Sequence, residues 1–394
     1  MADPQTDRRQ FLTTAGKAAI AAGLAAASAG AVPLAPPDKQ PPDLQLPSPP
    51  TKKVGYAIVG LGELALGEIL PAFPLCEFSA PVALVSGHRD KAEKVAAHYG
   101  IDPKAIYDYQ NYDSIRDNPA IDAVYIVLPN SMHREYTERA FAAGKHVLCE
   151  KPMAPTSADC QAMIDAGKRA GKKLMIAYRL HYEPYNKMAI AIARSGQLGT
   201  LRTFTSENLQ TTNAPNIRLS RGTAGGPLGD VGVYCLNAAR YMVGEEPTEA
   251  FGTAIQDAGD DRFREVPSRV MVQLRFPSGA FGQFVCGFDS AHSGFFKLTG
   301  TGGSVRLDNA FPYHGQKLFL ELTGKLPAGV SGATDEQQIS TKAKDHFQAE
   351  MDAFSQNVLN DTDPATPGEE GLADQRVLDA INKSIVTGGW VKVG

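Results

Sequence analysis

From Val54 onward, short runs of apolar, often β-branched residues alternate with longer stretches in which apolar positions recur every three or four residues. The short runs predict buried strands at residues 54–59, 81–85, 123–128, 146–149 and 173–178. The longer stretches predict helices at 90–99, 134–143 and 157–170. Strand and helix alternating in this way specify a doubly wound α/β domain with a parallel sheet, closing near residue 178. A chain of 394 residues is too long for one ordinary core, so residues 179–394 are expected to form a second domain.

Upstream of Val54 the pattern changes twice. Asp7-Arg8-Arg9-Gln10-Phe11-Leu12 precedes a weakly apolar Ala/Gly-rich run, and Ala27-Ser28-Ala29 offers a small-x-small cleavage site. Residues 1–29 therefore read as a twin-arginine export signal, with an uncleaved amphipathic anchor as the competing reading. The run is too short and too poor in large apolar residues to span a bilayer, so a soluble mature protein without a stable membrane anchor is expected. Residues 30–53 follow as a Pro-rich arm, with eight prolines between Val32 and Lys53 that forbid helix and favour extended polyproline II. A tether and a strap across a neighbouring subunit are both open to it.

Composition narrows the chemistry. A hydrophobic fraction of 43% excludes a disordered chain, and a net charge of −4 without a basic block after the first segment argues against nucleic acid as the main partner. Five scattered cysteines without a CxxC pair read as buried thiols. The eight histidines are dispersed, with no HxxxH or HExxH spacing, so no metal site is expected.

The first strand empties into Gly60-Leu61-Gly62-Glu63-Leu64-Ala65, a GxGxxA turn between strand and helix. Gly60 permits the tight turn, Gly62 lets the backbone approach a pyrophosphate, and small Ala65 lets the helix pack closely, as a Rossmann dinucleotide site requires. At the end of the second strand, where an NAD enzyme usually carries a carboxylate for the ribose 2′-hydroxyl, stands Ser86, followed by Gly87, His88, Arg89, Asp90 and Lys91. A hydroxyl and two cations favour NADP. The bland alternative is that Arg89 and Lys91 open a solvated helix with Asp90 as its cap.

Ligands of open α/β sheets bind beyond the carboxyl ends of the strands, so Asn130, Ser131, His133, Glu150 and Lys151 are expected to converge near the nicotinamide half. Arg179, His181 and Tyr182 follow the last strand and are placed along the same cleft. In the second domain, Asp230 and Tyr234 are four apart in a helix-like stretch and therefore share a face. Taken alone, Tyr234 is more commonly a core or surface aromatic and Lys151 a solvated loop lysine.

Cys149-Glu150-Lys151-Pro152, about ninety residues after the glycine turn in such a domain, resembles the glucose-fructose oxidoreductase and inositol dehydrogenase family, Gfo/Idh/MocA. The likeness extends over nearly all of residues 54–394, through Val59-Gly60-Leu61-Gly62, Ile106-Tyr107-Asp108-Tyr109, Leu128-Pro129-Asn130-Ser131-Met132-His133 and Gly368-Glu369-Glu370-Gly371-Leu372. It implies a second, α+β domain built on an open, mainly antiparallel sheet that serves as the interface of a homodimer or homotetramer. It also implies a periplasmic enzyme with tightly held NADP and sugar substrates. Cofactor contacts would come from Gly60, Leu61, Gly62, Ser86, Gly87, Arg89, Lys91, Tyr109, Pro129, Asn130, His133, Glu150, Lys151 and Tyr178.

Carried over from the family, Tyr234 accepts and returns the proton, Lys151 favours its phenolate form and orients the sugar hydroxyl, and Asp230 hydrogen-bonds the substrate. Arg179, Tyr182 and Arg218 join Lys151, Asp230 and Tyr234 as sugar contacts. An ordinary phenol ionises near pH 10, so a base of this type needs a neighbouring cation at neutral pH. Ile217 stands where an aromatic is expected beside Arg218, which weakens the case for fructose as acceptor.

NADP is recycled in the cytoplasm, so export by the twin-arginine machinery would require folding around the cofactor and regenerating it in place. The expected activity is a ping-pong cycle that oxidises an aldose to its lactone and reduces a second sugar to a polyol. A conventional NAD(P)-dependent sugar dehydrogenase, an aldose-aldose oxidoreductase and a non-catalytic nucleotide-bound sugar-binding protein are the alternatives.

Overall fold

The structure is a computed structural model that describes residues 52–323 and 336–394, so the expected export signal and all but the last two residues of the Pro-rich arm lie outside the described residues. Six parallel strands form the first sheet: β1 (Val54–Val59), β2 (Ser79–Val85), β3 (Ile106–Tyr107), β4 (Ala123–Ile126), β5 (His146–Glu150) and β6 (Leu174–Ala177). Their order is β3-β2-β1-β4-β5-β6. This is the doubly wound arrangement, with its switch point between β1 and β4. All six residues of β1 and all four of β4 are buried, as expected for strands covered on both faces.

A short helical segment, α1 (65–72), follows the glycine turn. It begins as a wide five-residue turn, Ala65–Ile69, and Pro71 just beyond has no amide hydrogen to donate to an earlier carbonyl. The helix expected from residue 90 is α2 (Arg89–Tyr99), ended by Gly100 in the left-handed region. His88 occupies its N-cap position, so Asp90 is not the cap and lies inside the first turn. The next two are α3 (His133–Ala142) and α4 (Ser157–Ala170), the latter capped by Thr156 accepting from the Asp159 amide and closed by Gly171.

The second half carries α5 (Pro184–Arg194), β7 (Leu201–Thr211), α6 (Val233–Val243) and β8 (Glu249–Ile255). Then come β9 (Arg269–Arg275), β10 (Phe281–Gly287), β11 (Asp289–Gly300), β12 (Gly303–Asp308), β13 (Lys317–Leu322) and β14 (Glu336–Ile339). Helices α7 (His346–Asn360) and α8 (Gly368–Thr387) and a short β15 (Val391–Lys392) complete it. The nine strands make one open sheet in the order β14-β13-β12-β11-β7-β10-β9-β8-β15, antiparallel except where β7 runs parallel to β10. In β9, Val270, Val272 and Leu274 point into the core while Arg269, Met271 and Arg275 face out, the period of two expected of a sheet with one covered face.

The chain does not leave the first sheet for good at residue 178. Helix α7 returns to it: Asp352 accepts from the amides of Glu77 and Phe78, both at 2.9 Å, and from Ser79 Oγ at 3.0 Å. Helix α8 reaches both sheets, with Gly371 packed on Met153 and Ile176 while Ser384 Oγ receives the Gly252 amide of β8 at 3.0 Å. All five cysteines are free and buried. Among the described residues no helix is long and apolar enough to cross a membrane.

Candidate active site

The glycine turn has the local geometry that its sequence requires. Gly60 adopts φ +98°, and a Cβ there would run into the Val127 carbonyl. A Cβ on Gly62 would meet nothing within 4 Å, so the backbone is open to a ligand at that point. Lys91 Nζ donates to the Leu61 carbonyl at 2.8 Å, which puts a cation against the turn. Ser86 Oγ accepts from the His88 amide at 3.1 Å, and Gly87 lies beside the Tyr109 ring. The cradle at the end of β1 and the hydroxyl in place of a carboxylate at the end of β2 fit a nicotinamide dinucleotide.

Several residues expected to touch the cofactor have other partners. Arg89 donates to Glu93 and to the carbonyls of Ile106 and Pro103, bracing the start of α2 against the segment before β3. His133 is 0% exposed, its ring nitrogens 3.0 Å from the Pro152 carbonyl and 2.9 Å from that of Leu128. It ties two strand-end loops together and has no free edge for a ligand. Tyr178 is buried, and its hydroxyl donates to Asp374 of α8 at 2.7 Å. Glu150 is buried and accepts from the Tyr125 hydroxyl at 2.9 Å. Asn130, beyond Pro129, donates through Nδ2 to the Ala224 carbonyl at 3.0 Å and so links the two sides of the cleft.

Lys151, Asp230 and Tyr234 do meet. The Lys151 side chain, 10% exposed, donates to the Asp230 carbonyl at 3.0 Å, stands 3.6 Å from Asp230 Oδ1, and lies 4.4 Å from the centre of the Tyr234 ring. Arg218 Nε is 2.8 Å from Asp230 Oδ2, so two cations bracket one carboxylate. Burial works against the Lys151 charge, but Tyr234, Asp230 and Glu150 outweigh it and its pKa is raised. The ammonium is therefore fully charged at neutral pH. Asp230 sits in a wide turn, Leu228–Gly232, and Tyr234 in the first turn of α6, so Lys151 rather than a regular helical face brings them together. The turn packs tightly: a Cβ on Gly232 would come within 2.8 Å of Cys286 Sγ.

Behind Tyr234 stands a layer that the sequence does not announce. Arg179, 5% exposed, lies between the rings of Tyr234 and Tyr313, at 5.1 and 4.7 Å from their centres. It donates to the Phe311 carbonyl and bonds His346 Nδ1 at 3.0 Å. Burial first, then Arg179, lowers the His346 pKa, so the imidazole is neutral, with Nε2–H directed to the Tyr313 carbonyl. Arg179 thus supports Tyr234 instead of presenting itself to a sugar. Tyr182 is directed to Met175 Sδ, and His181 to Asn237, rather than to the cluster. Phe311, Tyr313 and His346 come from segments without a motif; an aromatic-rich turn after β12 signals the first two, and His346 opens α7 with no signal of its own.

A phenol, an ammonium and a carboxylate grouped beyond the end of β5 can move a proton to or from a substrate hydroxyl. Comparisons with known proteins agree with oxidoreductase chemistry. The profile described as oxidoreductase family, NAD-binding Rossmann fold, matches residues 54–178, and the GFO/IDH/MocA C-terminal domain profile matches residues 187–306. A D-xylose 1-dehydrogenase [NADP(+)] of Haloarcula marismortui is 30% identical over 86% of this chain and 93% of its own. The crystal structure of an aldose-aldose oxidoreductase from Caulobacter crescentus, complexed with glycerol, superposes with a TM-score of 0.81. It is 42% identical over 86% of this chain and 100% of that chain. A 3-ketoreductase from Actinomadura kijaniata, solved with NADP and TDP-benzene, shares the fold at a TM-score of 0.74 and 22% identity, covering 84% and 98% of the two chains.

Proposed function

The chain belongs to the Gfo/Idh/MocA oxidoreductase family, and from that premise we infer that it oxidises an aldose to its lactone and then reduces a second sugar, with NADP retained between the two steps. The observation that carries this reading is the Lys151–Asp230–Tyr234 cluster. The bound nicotinamide supplies the hydride acceptor and donor. Tyr234 takes the proton of the anomeric hydroxyl through its hydroxyl oxygen, and Lys151 stabilises the negative charge carried there and directs the hydroxyl toward it. Asp230, held by Lys151 and Arg218, accepts a hydrogen bond from a neighbouring sugar hydroxyl. After the lactone leaves, Tyr234 returns its proton to the carbonyl oxygen of the second sugar.

The preference for NADP rests on Ser86 at the end of β2 and on Lys91 beside the turn, and the periplasmic location on the sequence of residues 1–29. Cofactor retention follows from location, because nothing outside the cytoplasm would recharge a free nucleotide. A second aldose is favoured over fructose as acceptor by the 42% identical aldose-aldose oxidoreductase, and by Ile217, 55% exposed beside Arg218 where an aromatic was expected.

The test is an absorbance spectrum of the purified, dialysed protein before and after glucose alone. The expected outcome is growth of the reduced-nicotinamide band without added nucleotide, reversed by a second sugar. No band, with activity restored only by free NAD(P), would replace the cycle by a conventional dehydrogenase.

A further inference from the structure

The strands beneath Lys151 enclose two carboxyl groups that the reaction above does not use. Glu150 at the end of β5 and Glu350 in α7 both lie against the hydroxyl of Tyr125 from β4. That oxygen is 2.9 Å from Glu150 Oε1 and 3.4 Å from Glu350 Oε2. A phenol has one hydrogen and cannot donate to both. Glu350 is 0% exposed, and its other oxygen, Oε1, has no hydrogen-bond partner. Two buried carboxylates sharing one donor would leave at least one charge without compensation. The count closes if one carboxyl carries a proton, and the one remote from Lys151 is Glu350.

We propose that Glu350 is a positioning residue that acts as a neutral donor: its hydroxyl donates to Tyr125 Oη, which donates to Glu150, holding Glu150 as the anion that faces Lys151 and Arg179. Lys151 and Arg179 are the cations that act on Glu150, and Tyr182 is a neutral phenol beside Glu350. Arg179 also acts on Glu350 and favours its charge, but burial and the Glu150 carboxylate outweigh it, and among the described residues no cation bonds to Glu350 itself. Burial and then the charge of Glu150 raise the Glu350 pKa well above the carboxylate range, while Lys151 and Tyr125 offset part of the burial at Glu150. A fixed anion at Glu150 favours the Lys151 charge through its field, so α7 acts on the cluster through hydrogen bonds as far as Glu150 and electrostatically beyond it.

The inference rests on the role given to Lys151 above, and the experiment separates the two. Infrared difference spectra of the full-length protein at neutral pH, Glu350→Gln against the unsubstituted enzyme, should show the carbonyl stretch of a protonated carboxylic acid that the variant lacks. The same band should persist in Lys151→Ala. Sugar turnover should be kept within about twofold by Glu350→Gln, whose amide still donates, and fall about tenfold or more in Glu350→Leu and in Tyr125→Phe. Tyr125→Phe serves if the leucine variant does not fold. Absence of the acid band, loss of turnover in Glu350→Gln equal to that in Tyr125→Phe, or unchanged turnover in Tyr125→Phe would each overturn the proposal. An active Lys151→Ala protein would instead overturn the catalytic reading, leaving the infrared result to stand by itself.

Discussion

At the scale of single residues, Tyr234 bears the greatest consequence. Its ring is held by Lys151 on one side and Arg179 on another, so Tyr234→Phe should keep the packing and lose only the hydroxyl. General acid–base catalysis is worth about 10²–10⁴-fold, so kcat should fall by about that factor with KM little changed, measured as sugar-dependent turnover. A fall below twofold would return Tyr234 to the role of a packing aromatic and favour a nucleotide-bound sugar-binding protein. The same scale shows why some of the site was legible and some was not. Lys151 and the glycine turn are fixed by their place at strand ends, where the sheet itself decides which way the chain faces. His133, Tyr178 and Arg89 also lie at or near strand ends, yet their side chains turn to carbonyls and carboxylates of the protein, a choice made by partners far away in sequence such as Pro152 and Asp374. Arg179 follows the last parallel strand, but its partners Tyr313 and His346 come more than a hundred residues later and no spacing points to them.

Among elements, the parallel strands are the most readable, because burial on both faces writes a continuous apolar run, while a threonine opens one helix and glycines close two. The second sheet is not: its strands alternate, their order returns β10 to lie beside β7, and only family resemblance anticipated an open antiparallel sheet. Buried histidines bring a pH dependence, and that of β5 has a defined window. His146, opening β5, has its pKa lowered to about 4 by burial, with Lys172 and Lys173 adding to the effect, and its Nδ1 accepts from the Lys173 amide at 3.1 Å. An unfolded histidine titrates near pH 6.5, so between about 6.5 and 4 the unfolded chain binds a proton that the native chain refuses. Stability from this group is complete above that window and is lost as the pH falls through it. Urea midpoints recorded from about pH 7 to 4.5 should decline, and less steeply in His146→Asn, which keeps an acceptor and cannot be protonated there. Parallel slopes for the two proteins would show that His146 is not the group responsible.

For the whole molecule, the question is whether the two sheets behave as separate bodies. Helix α7 answers through Asp352, whose carboxylate receives two backbone amides and a hydroxyl from the entry to β2, and through Ser355, whose hydroxyl lies 2.9 Å from that of Tyr56 in β1. The same helix presents His346 to Arg179 and Glu350 to Tyr125, so the segment that fastens the halves together also lines the back of the Lys151–Asp230–Tyr234 cluster. Asp352→Ala would remove the acceptor of the Glu77 and Phe78 amides at the partly exposed entry to β2, so a loss of about 1–3 kcal/mol in all is expected. Calorimetry should show one cooperative transition in both proteins, at a lower temperature in the variant. Two separated transitions would mean that the nucleotide-binding half folds independently of the second sheet. A single transition carries a functional consequence: cofactor release by wide separation of the halves would require breaking the α7 contacts, and on the retention proposed above Asp352→Ala should lose nucleotide on dialysis faster than the parent protein.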